Sequence, residues 1–148
     1  MNKRQKHLIR SVITVLTITV AFIVLMMNIK DILNKNEAMR ATEIVGREVL
    51  KYRRQYASLP PERYLDRIKE EFVRLGRLHY RAQWIDFDSD PNTILAYTPK
   101  NYRSLAADPG YVVLYLDGRV EWIDKKDFEE LLKKQQTERE IEILQKEL

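Results

Sequence analysis

The sequence predicts an α+β protein: an N-terminal transmembrane helix continuing into a long amphipathic helix, packed on a small antiparallel sheet and followed by a C-terminal helix. Three observations carry that expectation. Residues 11–29, SVITVLTITVAFIVLMMNI, hold no charged side chain. Beyond them apolar residues recur every three or four positions. After a Leu-Pro-Pro step the period turns strand-like, and Asp117-Gly118 sits between two apolar runs.

As a helix rising ~1.5 Å per residue, residues 11–29 reach across most of the ~30 Å hydrocarbon core of a bilayer. The alternative, a helix buried in a soluble core, needs an apolar surround on every side, and a chain of 148 residues has little material for one. Ser11, Thr14, Thr17 and Thr19 fit the membrane reading, because a hydroxyl can bond back to a carbonyl of the preceding turn. The formal charge is +4, and Lys3, Arg4, Lys6 and Arg10 account for all of it. The basic character is therefore a topology signal and predicts no nucleic-acid partner: residues 1–10 form a cytoplasmic tail, and everything after residue 29 lies on the opposite side. Lys30, Lys35 and Arg40 on the far flank oppose that bias. A cleaved secretory signal would have an apolar region of ~7 to 15 residues before a small-x-small site. Met26-Met27-Asn28-Ile29-Lys30 supplies no such site, so an uncleaved anchor is expected. With no cysteine, disulfides and thiolate metal centres are excluded.

Residues 30–135 are read as one head that includes the extended helix, and residues 136–148 as a charged helical tail. No proline precedes Pro60, and the only glycine before it is Gly46, so nothing stops the helix where it leaves the membrane. Ala38, Ala41, Val45, Val49, Tyr52 and Tyr56 form one stripe, with Glu43, Arg47, Lys51 and Arg54 mostly away from it. Asn34-Lys35-Asn36 is the place where a bend would fall. Leu59-Pro60-Pro61-Glu62 ends this helix and starts a second, with the stripe Tyr64, Ile68, Phe72 and Leu75 and a capping Gly76.

HYRAQWIDF and TILAYT, separated by DSDPN, read as a hairpin over residues 79–98, and residues 99–110 as a loop. YVVLYL, apolar on both faces, is expected to be a central strand. Asp117-Gly118 predicts a two-residue type I′ turn, in which Tyr115 faces Val120 and Val113 faces Trp122. Asp124 is placed to cap a last helix, with Phe128, Leu131 and Leu132 packing on the sheet. Beyond Gln135 the stripe thins to Ile141, Leu144 and Leu148, which reads either as a solvated, frayed helix or as a coiled-coil contact for a partner.

Few residues suggest chemistry. His7 and His79 fall on opposite sides of the membrane, and no nucleophile triad, phosphate loop or His-x-x-x-His pair is present, so no enzyme activity and no catalytic or cofactor-binding residue is expected. Asp86, Asp88 and Asp90 have the spacing that opens a calcium loop, but the sixth and twelfth positions, which need glycine and glutamate, are Pro91 and Tyr97. A turn of solvated carboxylates is the expectation, and a calcium site helped by Asp108 or Asp117 the alternative.

The order of parts resembles the type IV pilin-like proteins, nearest to the pseudopilins of type II secretion. AMRATEIVGREVLKYRRQYASLP resembles the helix end of that family, which closes on Tyr and a Leu-Pro or Tyr-Pro step. Residues 93–132, TILAYTPKNYRSLAADPGYVVLYLDGRVEWIDKKDFEELL, resemble its C-terminal strand, Asp-Gly hairpin, Val-Glu-Trp strand and closing helix. The chain departs from the pattern in having no glycine before Gly46 and no glutamate before Glu37, so the prepilin cleavage glycine and the glutamate of the mature helix lack counterparts. Some relatives carry a histidine separated from Asp-Gly by nine residues, and counting back from Asp117 that position is Ala107. The resemblance implies a structural or accessory protein of a pilus or type II secretion-like assembly, in the bacterial inner membrane with a periplasmic head. It implies contacts with the bilayer, with protein partners through the long helix or the C-terminal helix, and with further copies in an oligomer or filament. A single-pass, membrane-tethered protein-binding module is the alternative.

Overall fold

The computed structural model describes residues 2–69, 76–102 and 108–146. Phe72, Leu75, Ala107 and Leu148 lie outside them, as does the side chain of Leu144. One helix, α1, runs from Lys3–Tyr56 without interruption, about 80 Å at 1.5 Å per residue. Asn34-Lys35-Asn36 do not break it. It ends one turn before the prolines, where Ala57 turns left-handed at φ 50° and its N–H bonds back to the Arg53 carbonyl.

α2 (Glu62–Lys69) follows, then β1 (His79–Tyr80), a 3-10 turn (Ala82–Trp84), β2 (Ile94–Lys100), β3 (Gly110–Tyr115), β4 (Val120–Asp124), α3 (Lys125–Gln135) and α4 (Glu138–Lys146). The four strands form one antiparallel sheet in the order β1-β2-β3-β4, so the fold is α+β with β3 inside, as its two apolar faces require. α1 lies on one face of the sheet and α3 on the other. Toward α1 pack Leu95, Ala96, Leu114 and Leu116 with Ala41, Val45 and Val49, joined by Leu65 of α2. Toward α3 pack Ile94, Tyr97, Val113 and Tyr115 around Phe128, with Leu131 and Leu132 beside them. The helical stripe is buried from Ala38 to Val49, where Thr42 and Gly46 join it, while Tyr56 is exposed.

Three local expectations are corrected. HYRAQWIDF is not a strand beyond Tyr80: the backbone winds into the 3-10 turn, and Arg81 turns inward to partners that a regular strand could not give it. Leu95 is an extra residue in β2, a bulge that lets Leu95 and Ala96 both face α1 and explains why TILAYT fails to alternate. β2 also continues through Pro99, which is tolerated because β1 covers only Ala96 and Tyr97 and leaves β2 an edge beyond them.

The third correction is the turn. Tyr115 N–H donates to the Arg119 carbonyl and Gly118 N–H to the Tyr115 carbonyl, enclosing Leu116, Asp117 and Gly118. Gly118 is left-handed at φ 89°, whereas Asp117 has no positive φ, which a type I′ turn would demand. The loop is thus one residue longer than predicted, and the register moves by one: Leu114 pairs with Val120 and Val112 with Trp122.

Candidate membrane anchor and head junction

Residues 3–27 of α1 are exposed along their whole length. It is the one helix among the described residues that is long and apolar enough to cross a membrane, and none of its most apolar window is buried. Val15, Ile18 and Phe22 each expose over half of their surface. The Thr14, Thr17 and Thr19 hydroxyls donate to the carbonyls of Arg10, Ile13 and Val15, each at 2.9 Å, so these polar groups are satisfied within the helix.

Contact with the head begins within the last turn of the apolar segment. Asn28, Asp31, Asn34 and Lys35 are half-buried and Ala38 is fully buried, marking one side of the helix. Over that side stand two aromatic residues. Lys35 Nζ lies 4.2 Å from the Trp122 ring centroid, and the Tyr102 ring stacks on Trp122 at 5.7 Å. Gly110 makes room for the indole, since a Cβ there would fall 2.6 Å from Trp122 Cζ2. Burial, together with the Asp31 carboxylate nearby, pushes the Tyr102 hydroxyl up to about 12.

Further along, α1 is bolted to the β3–β4 turn. Gly46 lets the turn approach, because a Cβ there would lie 2.8 Å from Leu114 Cδ1 and 3.2 Å from the Gly118 carbonyl oxygen. Leu50 fills the space where a Gly118 side chain would stand. The Arg53 guanidinium donates to the carbonyls of Leu116 and Phe87 and lies 4.9 Å from the Phe87 ring, so one side chain holds both the turn and the acidic loop to the helix.

The sequence-predicted site residues fall at this far end. Asp86, Asp88 and Asp90 are all exposed. Asp90 Oδ1 accepts the Asn92 N–H at 2.7 Å, while the Asp86 carbonyl accepts the Ser89 N–H. Among the described residues no three His, Cys, Asp or Glu side chains come together in a set fit for a metal ion, so the three aspartates do not converge. Asp108 and Asp117 are not brought to them in such a set either. Asp117 instead closes the hairpin, Oδ1 accepting the Arg119 N–H at 2.9 Å.

Sequence reasoning missed the most heavily bonded group in the head. Arg81 donates from Nε and Nη2 to the two Glu140 carboxylate oxygens at 2.7 and 3.0 Å, from Nη1 to the Ile94 carbonyl at 2.8 Å, and from Nη2 to the Gln135 carbonyl at 3.0 Å. Gln135 in turn accepts the Ile94 N–H at 2.7 Å and donates to the Asn92 carbonyl. Over its described residues, 136–146, the tail therefore folds back on the head instead of standing in solvent. The chain breaks at Gln136, Thr137 caps α4 through its hydroxyl to the Glu140 N–H, and α4 is pinned to the sheet by a buried carboxylate. Beside the pair lies a polar cavity of about 330 Å³ that reaches His79, itself stacked on Tyr97 at 4.9 Å. No sequence signal joined Arg81 to Glu140; the only hint was a charged residue interrupting an apolar run.

The chain matches no protein-family model, and neither a curated protein nor a solved structure is significantly similar to it.

Proposed function

We propose that the chain is a membrane-anchored, pilin-like structural or accessory protein of a pilus or type II secretion-like assembly, without catalytic activity of its own. The observation that carries this reading is α1: one unbroken helix, exposed and apolar over its first half and packed on an antiparallel sheet over its second. A helix of that kind fixes a head at a set height and angle to a bilayer, which is a property of assembly components. In this reading the N-terminus is cytoplasmic, the anchor lies in the bacterial inner membrane, and the head is periplasmic. Neighbouring copies or partners meet the exposed apolar half of α1.

The test is co-expression with and without a prepilin peptidase, followed by intact-mass measurement and cross-linking in the membrane. Self-cross-linking through α1, or loss of a leader mass, supports the proposal; a monomer of unchanged mass overturns it. The second reading, a single-pass tethered protein-binding module, is favoured by the absence of any glycine before Gly46 and any glutamate before Glu37. That monomeric outcome is the one it requires.

A further inference from the structure

We infer that the head docks on the lipid interface, with Trp122 and Tyr102 resting among phospholipid headgroups beside the exit of α1. The inference rests on reading residues 11–29 as the membrane helix and adds a second, lateral contact to it.

Height decides the matter. Asp31 is two residues past Ile29 and Lys35 six, which places them about 3 and 9 Å beyond the apolar segment. The headgroup layer on each side of a bilayer is about 5 to 8 Å deep. Tyr102 stands close enough to Asp31 to feel its charge, and Trp122 lies over Lys35. Tyr102 therefore sits at headgroup depth and Trp122, stacked on it, at the outer margin of that layer, where amphipathic aromatic side chains are favoured.

The strands carry the same level sideways. β2 descends toward Lys100, β3 starts at Gly110 and β4 descends to Asp124, and these three residues are register partners at one end of the sheet. Lys125 opens α3 at that end, its N–H reaching the Pro109 carbonyl. The exposed charges there are mixed, Lys125 and Lys126 against Asp108, Asp124 and Asp127. Among the described residues this face carries mixed charge with a slight negative excess around an aromatic centre, which suits zwitterionic lipid and gains nothing from anionic lipid.

The second tryptophan supplies a control. Trp84 follows Tyr80, whose hydroxyl bonds the Pro60 carbonyl beyond the far end of α1, so it stands well away from the bilayer. Two full-length variants, Trp84→Phe and Trp122→Phe, each leave one indole. They would be reconstituted in phosphatidylcholine vesicles carrying a quencher either near the headgroup or deep in the acyl chain, and flotation would verify association. The expected result is strong quenching of Trp122 by the shallow label, weak quenching by the deep one, and little quenching of Trp84 by either. Equal quenching of the two indoles in floated protein overturns the docking and leaves the anchor standing. Protein that fails to float overturns the anchor and the docking with it.

Discussion

Arg81 and Glu140, 59 residues apart in the chain, face each other through two hydrogen bonds, their side chains only 4% and 1% exposed. Such a pair contributes little net stability when intact, because desolvation of both ions offsets their attraction. Losing one partner is another matter. Glu140→Ala leaves a buried guanidinium with half of its bonds and is expected to cost about 3 to 5 kcal/mol. Thermal melting of the detergent-solubilised protein measures this, and the double change Arg81→Met with Glu140→Leu should recover only part of the loss, because it also strips a donor from the Ile94 and Gln135 carbonyls. For the same reason truncation after Gln135 should destabilise the head rather than merely shorten it.

What could be read from the residues, and what could not, divides along the range of the interactions. The uncharged run, the three-and-four stripe and the Asp-Gly pair are signals contained within a few neighbouring positions, and each corresponds to an element in the structure. The turn type was misread because Asp-Gly serves both a type I′ turn and a type I turn closed by a left-handed glycine. What selects between them is the fit of Leu50 and Gly46 against Gly118, far away in sequence. The Leu95 bulge and the Arg81–Glu140 pair are likewise settled by packing across the sheet, and no local period encodes them.

Gly118 combines a left-handed backbone with direct contact from Leu50. Gly118→Ala therefore meets both the ~1 to 2 kcal/mol cost of φ > 0 and a clash that Leu50 must relieve. A loss of about 2 to 3 kcal/mol is expected by chemical denaturation. Asp117→Asn, which keeps a side-chain oxygen for the Arg119 N–H, should change stability by less than about 1 kcal/mol.

Alkaline pH should loosen the head through its tyrosines. Burial raises the pKa of Tyr80, Tyr97, Tyr102, Tyr111 and Tyr115, with Tyr102 pushed up to about 12. The folded state thus holds these protons more tightly than the unfolded chain, whose tyrosines titrate near ~10. Stability is unaffected below about pH 10 and falls as pH rises from there through the folded values. Phenolate absorbance should show part of the eight tyrosines ionising late, in step with loss of helix by circular dichroism. Ionisation of all eight near pH ~10 in the folded protein would contradict this.

Calcium should leave the melting temperature where it is. Asp86, Asp88 and Asp90 do not converge, and a cation bound by the folded state alone would raise stability by RT ln(1 + [L]/Kd). A concentration-dependent rise on adding calcium, abolished by Asp88→Asn, would show that the loop rearranges to bind it.

The orientation of the anchor can be tested without background, because the chain has no cysteine. Lys3, Arg4, Lys6 and Arg10 precede the apolar segment with no acidic residue among them, and the retention of such a cluster in the cytoplasm favours an N-terminus inside. Lys30, Lys35 and Arg40 follow it within the counted flank and oppose that bias, three basic residues against four. Asp88→Cys, exposed on the loop held by Arg53 at the far end of the head, should react with an impermeant maleimide in intact cells. Asn2→Cys should react only after the membrane is opened. The reverse pattern would place the head in the cytoplasm and remove the periplasmic part of the proposed function, while leaving α1 as an anchor.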